Sequence, residues 1–152
     1  MKIDDINKQI INILQDDGSI TNSELAGRIG LSPASTIERV RKLEKQGIIR
    51  KYCALIDHEK IGKNVIVFVE IITKDHHREA MDLFIGAVKN VSEVLECYHI
   101  SGDSDFLLKV IADDIADYER IALEELAMLP NLEKIRSHFV LSPVKLENKV
   151  SL

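Results

Sequence analysis

The sequence has no tryptophan, two cysteines, three prolines and only 5% aromatic residues. Cys53 and Cys97 stand far apart with no second cysteine near either, which offers neither a disulfide framework nor the paired spacing of a zinc site. They read as reduced, partly buried thiols. Long hydrophobic runs are also missing: the stretch from Val65 to Val69 stops at Glu70, far short of the roughly 20 residues a membrane span requires. Residues 1–5 (Met-Lys-Ile-Asp-Asp) have neither the apolar centre of a secretory signal nor the Arg-rich, acid-poor character of a transit peptide, so a cytoplasmic location is expected. What remains is ordinary for a soluble globular protein: 45% apolar and 30% charged residues over 152 positions, enough to bury a core in one domain or two small ones.

Positive charge is in the minority, with a net charge of −5, but it is concentrated. Residues 1–51 carry net +2 and residues 52–152 net −7. Between Arg28 and Lys51 seven cations (Arg28, Arg39, Arg41, Lys42, Lys45, Arg50, Lys51) face only Glu38 and Glu44. Such a patch suggests a polyanion partner, although on charge alone a solvated helix face is the better reading.

Local patterning carries more. Ile6, Ile10 and Ile13 or Leu14 recur at helical spacing and run to Gly18, a candidate left-handed helix stop. Thr21-Asn22-Ser23-Glu24 is a capping box that opens a second helix, with Leu25 and Ile29 facing inward and Gly30 ending it. Ser32 as N-cap and Pro33 at the first position open a third, which stops at Gly47 and turns Ile37, Val40 and Leu43 inward. Only Gly30-Leu31 separates the second and third helices, the tight connection of a helix-turn-helix whose last helix enters the major groove. On the third helix, Ser32, Ser35, Thr36, Arg39, Arg41 and Lys42 are the candidate DNA-binding residues. Hydroxyls and the positive helix end suit phosphate, and Arg suits guanine edges. Glu38 either accepts from a cytosine amine or pairs with Lys42 four residues on.

After Gly47, residues 48–56 are rich in strand formers and lead into a polar stretch at 57–64. This strand forms either a small wing beside the DNA or a bridge between domains. The second half then reads as strand (65–73), helix (76–88), strand (93–101), strand (105–111), helix (114–129) and strand (134–141). The first of these helices is expected to bury Ala80, Leu83, Phe84, Ala87 and Val88, and the second Tyr118, Ile121, Ala122, Leu126 and Leu129. That order, βαββαβ, is the ferredoxin-like split unit, with both helices on one face of an antiparallel sheet. Strands covered on one face should alternate, yet Val65-Ile66-Val67-Phe68-Val69 is apolar on both. A second copy of the same face, in a two-fold dimer, is the economical cover.

Gly30-Leu31-Ser32-Pro33, the run from Glu38 to Ile49, and Ser101-Gly102-Asp103-Ser104-Asp105-Phe106-Leu107-Leu108-Lys109 together resemble the leucine-responsive/asparagine regulator (Lrp/AsnC, feast/famine) family of transcription factors, over the whole chain. The resemblance implies an α+β protein: a helix-turn-helix (winged-helix-like) DNA-binding domain at 1–50, a strand and hinge linker at 51–64, and a ferredoxin-like domain at 65–152. The last domain would dimerise, assemble further to tetramers or octamers, and bind an amino acid between dimers beside residues 102–105. Ser104 stands where the family commonly has an aromatic or bulky residue.

The loop also carries chemistry of its own. Gly102 permits close backbone approach, neighbouring N–H groups can take a carboxylate, and Asp103 or Asp105 can take an ammonium, the two charges of a free amino acid. A plain hairpin turn is the other reading. The candidate effector residues are therefore His99, Ser101, Gly102, Asp103, Ser104, Asp105 and Val140. No catalytic residues, metal or cofactor are expected, because His76-His77 reads as a solvated loop pair, and Cys97 and His99 share a strand face without a third, orienting group. The expected partners are double-stranded DNA, a free amino acid and further copies of the chain, with no membrane. Two alternatives stand beside this reading: a tetrapyrrole decarboxylase-like enzyme on the same fold, and an effector-independent architectural DNA-binding protein.

Overall fold

The computed structural model describes residues 3–152; Met1 and Lys2, which open the expected first domain and the expected leaderless terminus, lie outside the described residues. The chain divides into two compact units, one formed by the chain up to Leu55 together with Lys145–Leu152, the other by Ile56–Val144.

In the first unit, α1 (Asp5–Asp16) starts at the N-cap Asp4, whose carboxylate accepts the Asn7 N–H at 2.7 Å. Its end differs from expectation. Asp17 closes the helix, because its carboxylate accepts the Ser19 N–H and hydroxyl at 3.0 and 2.6 Å and turns the chain there. Gly18 is not left-handed; a Cβ built on it would sit 3.5 Å from the Tyr52 ring. Helix α2 (Asn22–Ile29) has the full reciprocal capping box of Thr21 and Glu24, and ends on Gly30 at φ 69°. Helix α3 (Pro33–Lys45) follows with Ser32 as its N-cap. Ile10, Leu25, Val40 and Leu43 form the buried centre, flanked by Ile6, Ile13, Leu14, Ile29, Ile48 and Ile49. The last residues close this unit from outside the helical segment. Lys149 Nζ meets both Asp16 oxygens at 2.7 and 2.6 Å, while Gln15 and Val150 exchange two hydrogen bonds of 3.0 and 2.7 Å.

The strand expected at 48–56 does not form. Residues 50–57 carry no regular secondary structure, and Tyr52 donates its hydroxyl to Glu44 at 3.0 Å. Strand-forming side chains make a strand only where an edge is offered to them.

The second unit has the βαββαβ order: β1 (Val65–Thr73), α4 (Arg78–Val88), β2 (Val94–His99), β3 (Phe106–Ala112), α5 (Ile115–Ile121) continued by a π-helical turn (Ala122–Leu126), and β4 (Leu132–Phe139). The sheet is antiparallel with strand order β2-β3-β1-β4, so β1 and β3 are central and the fold is ferredoxin-like. One sheet face carries Val67, Val69, Ile71, Phe106, Leu108 and Val110, all packed with Phe84, Val88, Tyr118, Ile121 and Leu126 from the helices. Leu83 was expected in this core but is 65% exposed, because Met81, Phe84, Ile85 and Val88 supply the packed stripe of α4 and Leu83 falls beside it. The π turn occupies the place of the last turn of the longer helix expected at 114–129, and still delivers Leu126 and Leu129 to the core.

The other sheet face places Ile66, Phe68 and Glu70 of β1 opposite Ile111, Lys109 and Leu107 of β3. On this face Phe68 is 36% exposed, whereas Ile111 is buried at 6%. Among the described residues no helix is long and apolar enough to cross a membrane.

The two faces of β1 give opposite expectations for one substitution. Val67→Asp buries an unpaired carboxylate in the core and should abolish the cooperative melt of the second unit, whereas Phe68→Asp should retain native circular dichroism and a cooperative melt. Thermal denaturation followed by circular dichroism checks both; equal damage from the two would overturn the assignment of faces.

Candidate DNA-binding helix and effector loop

The surface of α3 is set by what its other side buries. Thr36, Val40 and Leu43 are buried, one helical stripe, which leaves Ser32, Glu38, Arg41, Lys42 and Lys45 exposed and Ser35 half-buried. Of the candidate DNA-binding residues, Thr36 needs correction and Arg39 has partners within the chain. Thr36 is fully buried, its hydroxyl donating to the Ser32 carbonyl at 3.0 Å, and it replaces Ile37 as an inward residue. A threonine can back-bond to the preceding turn and present its methyl inward, and the pattern of apolar letters hides this. Arg39 is held from within: Nη1 donates to Asp4 Oδ2 at 2.9 Å and to Asn7 Oδ1 at 3.1 Å, so it ties α3 to the start of α1. The Asn7 N–H, then Arg39, hold the Asp4 carboxyl below its ordinary range. Glu38 makes no ion pair with Lys42 among the described residues. Lys45, which the sequence reading left out of its DNA-binding set, shares the exposed side with Arg41 and Lys42; helical spacing alone would have found it.

The second candidate site is the connection between β2 and β3. Ile100 N–H donates to the Asp105 carbonyl and Asp105 N–H to the Ile71 carbonyl, both at 2.9 Å, so the hairpin end is stitched to β1. Between these stitches Ser101, Gly102 and Asp103 are exposed, and Gly102 has φ 124°, a left-handed value that favours glycine. The backbone N–H groups of Ser101, Gly102, Asp103 and Ser104 meet no acceptor among the described residues. Ser104 is buried, its hydroxyl donating to Glu70 Oε2 at 3.0 Å. Glu70 also faces Arg136 at 3.5 Å and His138 at 3.4 Å on the sheet face of Ile66 and Phe68.

Asp105 is the most heavily engaged member. Oδ2 accepts from the Thr73 N–H at 2.7 Å and the Thr73 hydroxyl at 2.8 Å, and Oδ1 lies 2.9 Å from His76 Nε2. Burial pushes this carboxyl up, but Thr73 and then His76 outweigh it and hold it below the usual carboxylate range. One oxygen is thus structural, and the other faces a side chain that is 68% exposed. Thr73 and His76 were not foreseen as members of this site; neither lies near residues 101–105 in sequence, and only the β1–β3 pairing brings them there.

The remaining effector candidates fall elsewhere. His99 stacks on Phe106 with ring centroids 5.0 Å apart and lines, with Ile85, Val88 and Cys97, a groove of about 470 Å³ between α4 and β2. Val140 donates its N–H to Ile66, whereas Asp105 bonds Ile71, five residues along β1 and roughly 16 Å away by strand rise. Val140 is therefore not a wall of this loop. Cys53 and Cys97 are both exposed, not partly buried, and no cluster of three metal-ligating side chains exists among the described residues.

With this geometry in view, the likeness to known proteins is specific. Residues 66–150 match the Lrp/AsnC ligand binding domain, and residues 3–50 match a winged helix-turn-helix DNA-binding domain. The leucine-responsive regulatory protein of Escherichia coli K12 is 39% identical over 148 residues, covering 97% of this chain and 90% of the relative. An AsnC family transcriptional regulator from Agrobacterium tumefaciens is 34% identical, with a TM-score of 0.91 over 97% of this chain and 96% of that one. A transcriptional regulator from Neisseria meningitidis, solved as its L-Met complex, is 29% identical, with a TM-score of 0.92 over 98% and 96%. The chain belongs to the Lrp/AsnC family. It is a DNA-binding transcriptional regulator with a ligand-binding domain, and the decarboxylase alternative is set aside, because both matched domains are those of a regulator.

Because the Asp105 carboxyl is lowered in the folded state, it stabilises the protein above the ordinary carboxylate range and loses that contribution as pH falls through its folded value. Asp105→Ala should cost about 1–3 kcal/mol at pH 7, with the gap to wild type closing progressively below about pH 4. Denaturant melts at several pH values check the sign; a gap that widens on acidification would refute it.

Proposed function

We propose that the ligand is a free amino acid and that it sits on the loop at 101–105. The observation that carries this reading is a pair of opposite offerings within one short segment: four consecutive N–H groups without an acceptor among the described residues, directly followed by a carboxylate. An α-carboxylate suits the first and an α-ammonium the Oδ1 side of the second. The name of the leucine-responsive relatives and the L-Met complex of the Neisseria neighbour support the same ligand class.

On the DNA side, the proposed contacts are Ser32 and Ser35 near the N-terminus of α3 and Arg41, Lys42 and Lys45 along its exposed face, with Arg39 bracing α1 against α3. The proposed division of labour keeps DNA contact in 1–50, a hinge in 51–64, and effector binding and assembly in the domain from 65 onward. The active form is a cytoplasmic homodimer joined through the sheet face of Ile66 and Phe68, assembling further into tetramers or octamers. Two apolar β faces turned to each other remove from water what neither chain covers alone.

Three outcomes are expected. Lys42→Ala, as a phosphate contact, weakens specific and nonspecific DNA binding alike and reduces the salt slope by about one unit, read by fluorescence anisotropy across salt concentrations. Phe68→Asp keeps the fold but lowers the mass measured by light scattering to that of a monomer. In a thermal-shift screen of the twenty standard amino acids, at least one raises the melting temperature of the wild type, and Asp105→Asn weakens that response while binding operator normally without effector. If none of the twenty stabilises the protein at millimolar concentration, the effector reading fails and the architectural alternative takes its place.

A further inference from the structure

The carboxylate of the candidate loop already has an occupant. His76 Nε2 lies 2.9 Å from Asp105 Oδ1, the separation of a direct N–H to carboxylate hydrogen bond. The other Asp105 oxygen is committed to two donors of Thr73, so Oδ1 is the only face of this carboxylate that a ligand can claim. His76 is poorly held otherwise. It precedes α4 in an exposed turn whose anchors are its neighbours: Asp75 N–H donates to Asn131 Oδ1 at 2.9 Å, Asn131 Nδ2 donates to the Asp75 carbonyl at 2.7 Å, and His77 N–H donates to Asp75 Oδ1 at 2.8 Å. The backbone on either side of His76 is therefore fixed, while its side chain is 68% exposed and has Asp105 as its hydrogen-bond partner. Asp105 itself is only 18% exposed.

We infer that His76 is a placeholder: in the effector-free protein its ring fills the position on Asp105 Oδ1 that an amino acid's ammonium takes, and binding displaces it into solvent. This rests on the proposed seat of the amino acid on the loop and adds a built-in competitor to it. A half-buried carboxylate left unpartnered on one oxygen is costly, and an exposed ring that swings in satisfies it at little cost in packing. The placeholder also tunes response. An effector must replace a hydrogen bond instead of filling a vacant acceptor, which weakens its apparent affinity and shifts the response to higher concentrations.

The test uses the full chain as wild type, His76→Ala, His76→Lys and Asp105→Asn, with whichever of the twenty amino acids stabilises any of them titrated by calorimetry. His76→Ala is expected to bind that amino acid about two- to fivefold more tightly than wild type, the range of one exposed polar contact. His76→Lys, which supplies another competing donor, should return towards wild type, and Asp105→Asn should be weaker than all three. The His76 ring signal, assigned by its loss in His76→Ala, should move on amino-acid binding towards its position in effector-free Asp105→Asn. If wild type and His76→Ala bind the amino acid equally and the ring signal stays in place, the placeholder is overturned while the effector site stands. If no variant binds any of the twenty, the effector reading falls and the placeholder with it.

Discussion

Strand β1 is apolar at nearly every position, and this organises the second unit. Its alternate residues Val67, Val69 and Ile71 belong under α4 and α5, and its other residues Ile66, Phe68 and Ile72 are nearly as averse to water. A strand of that kind has no stable place at a sheet edge, so β3 and β4 flank it, and β2 takes the edge beside β3. The same centrality brings the end of β1 against the β2–β3 connection, where Asp105 binds Thr73 and Ile71. The position of the loop at 101–105 is a by-product of where the most apolar strand had to go.

Much of this was legible in the sequence, wherever a local signal and a burial signal agreed. The capping box at Thr21, the Ser32-Pro33 start and Gly30 fixed the helix-turn-helix, because each satisfies free backbone groups by itself. Runs of strand-forming residues and the turns between them indicated the βαββαβ order, with strand ends within two residues of those observed. The misses share a cause. Gly18, Thr36 and Leu83 each looked right in isolation and were outvoted by a neighbour: Asp17 closing α1, Ser32 taking the Thr36 hydroxyl, and Phe84 and Ile85 filling the groove that Leu83 would have shared. Residues 48–56 have the composition of a strand but no edge to join.

The site was half legible. Gly102 and the acidic pair of the loop stand out in a linear reading, because a left-handed glycine between charged residues is a local feature. Thr73, His76 and Glu70 do not, since strand pairing, register and a turn 29 residues away from Asp105 decide their presence. The same holds for Arg39, whose partner Asp4 lies 35 residues earlier. A basic residue on a recognition helix reads as a DNA contact until the three-dimensional structure supplies an internal carboxylate.

The return of residues 145–152 to helix α1 bears on how separable the two halves are. Lys149 on Asp16 and the Gln15–Val150 exchange mean that the DNA-binding unit is assembled from two stretches far apart in the sequence. A fragment cut after Leu55 would leave that surface of α1 bare. Exchange of this head onto another sensor domain is therefore a three-segment graft, in which the final eight residues travel with the first fifty-five.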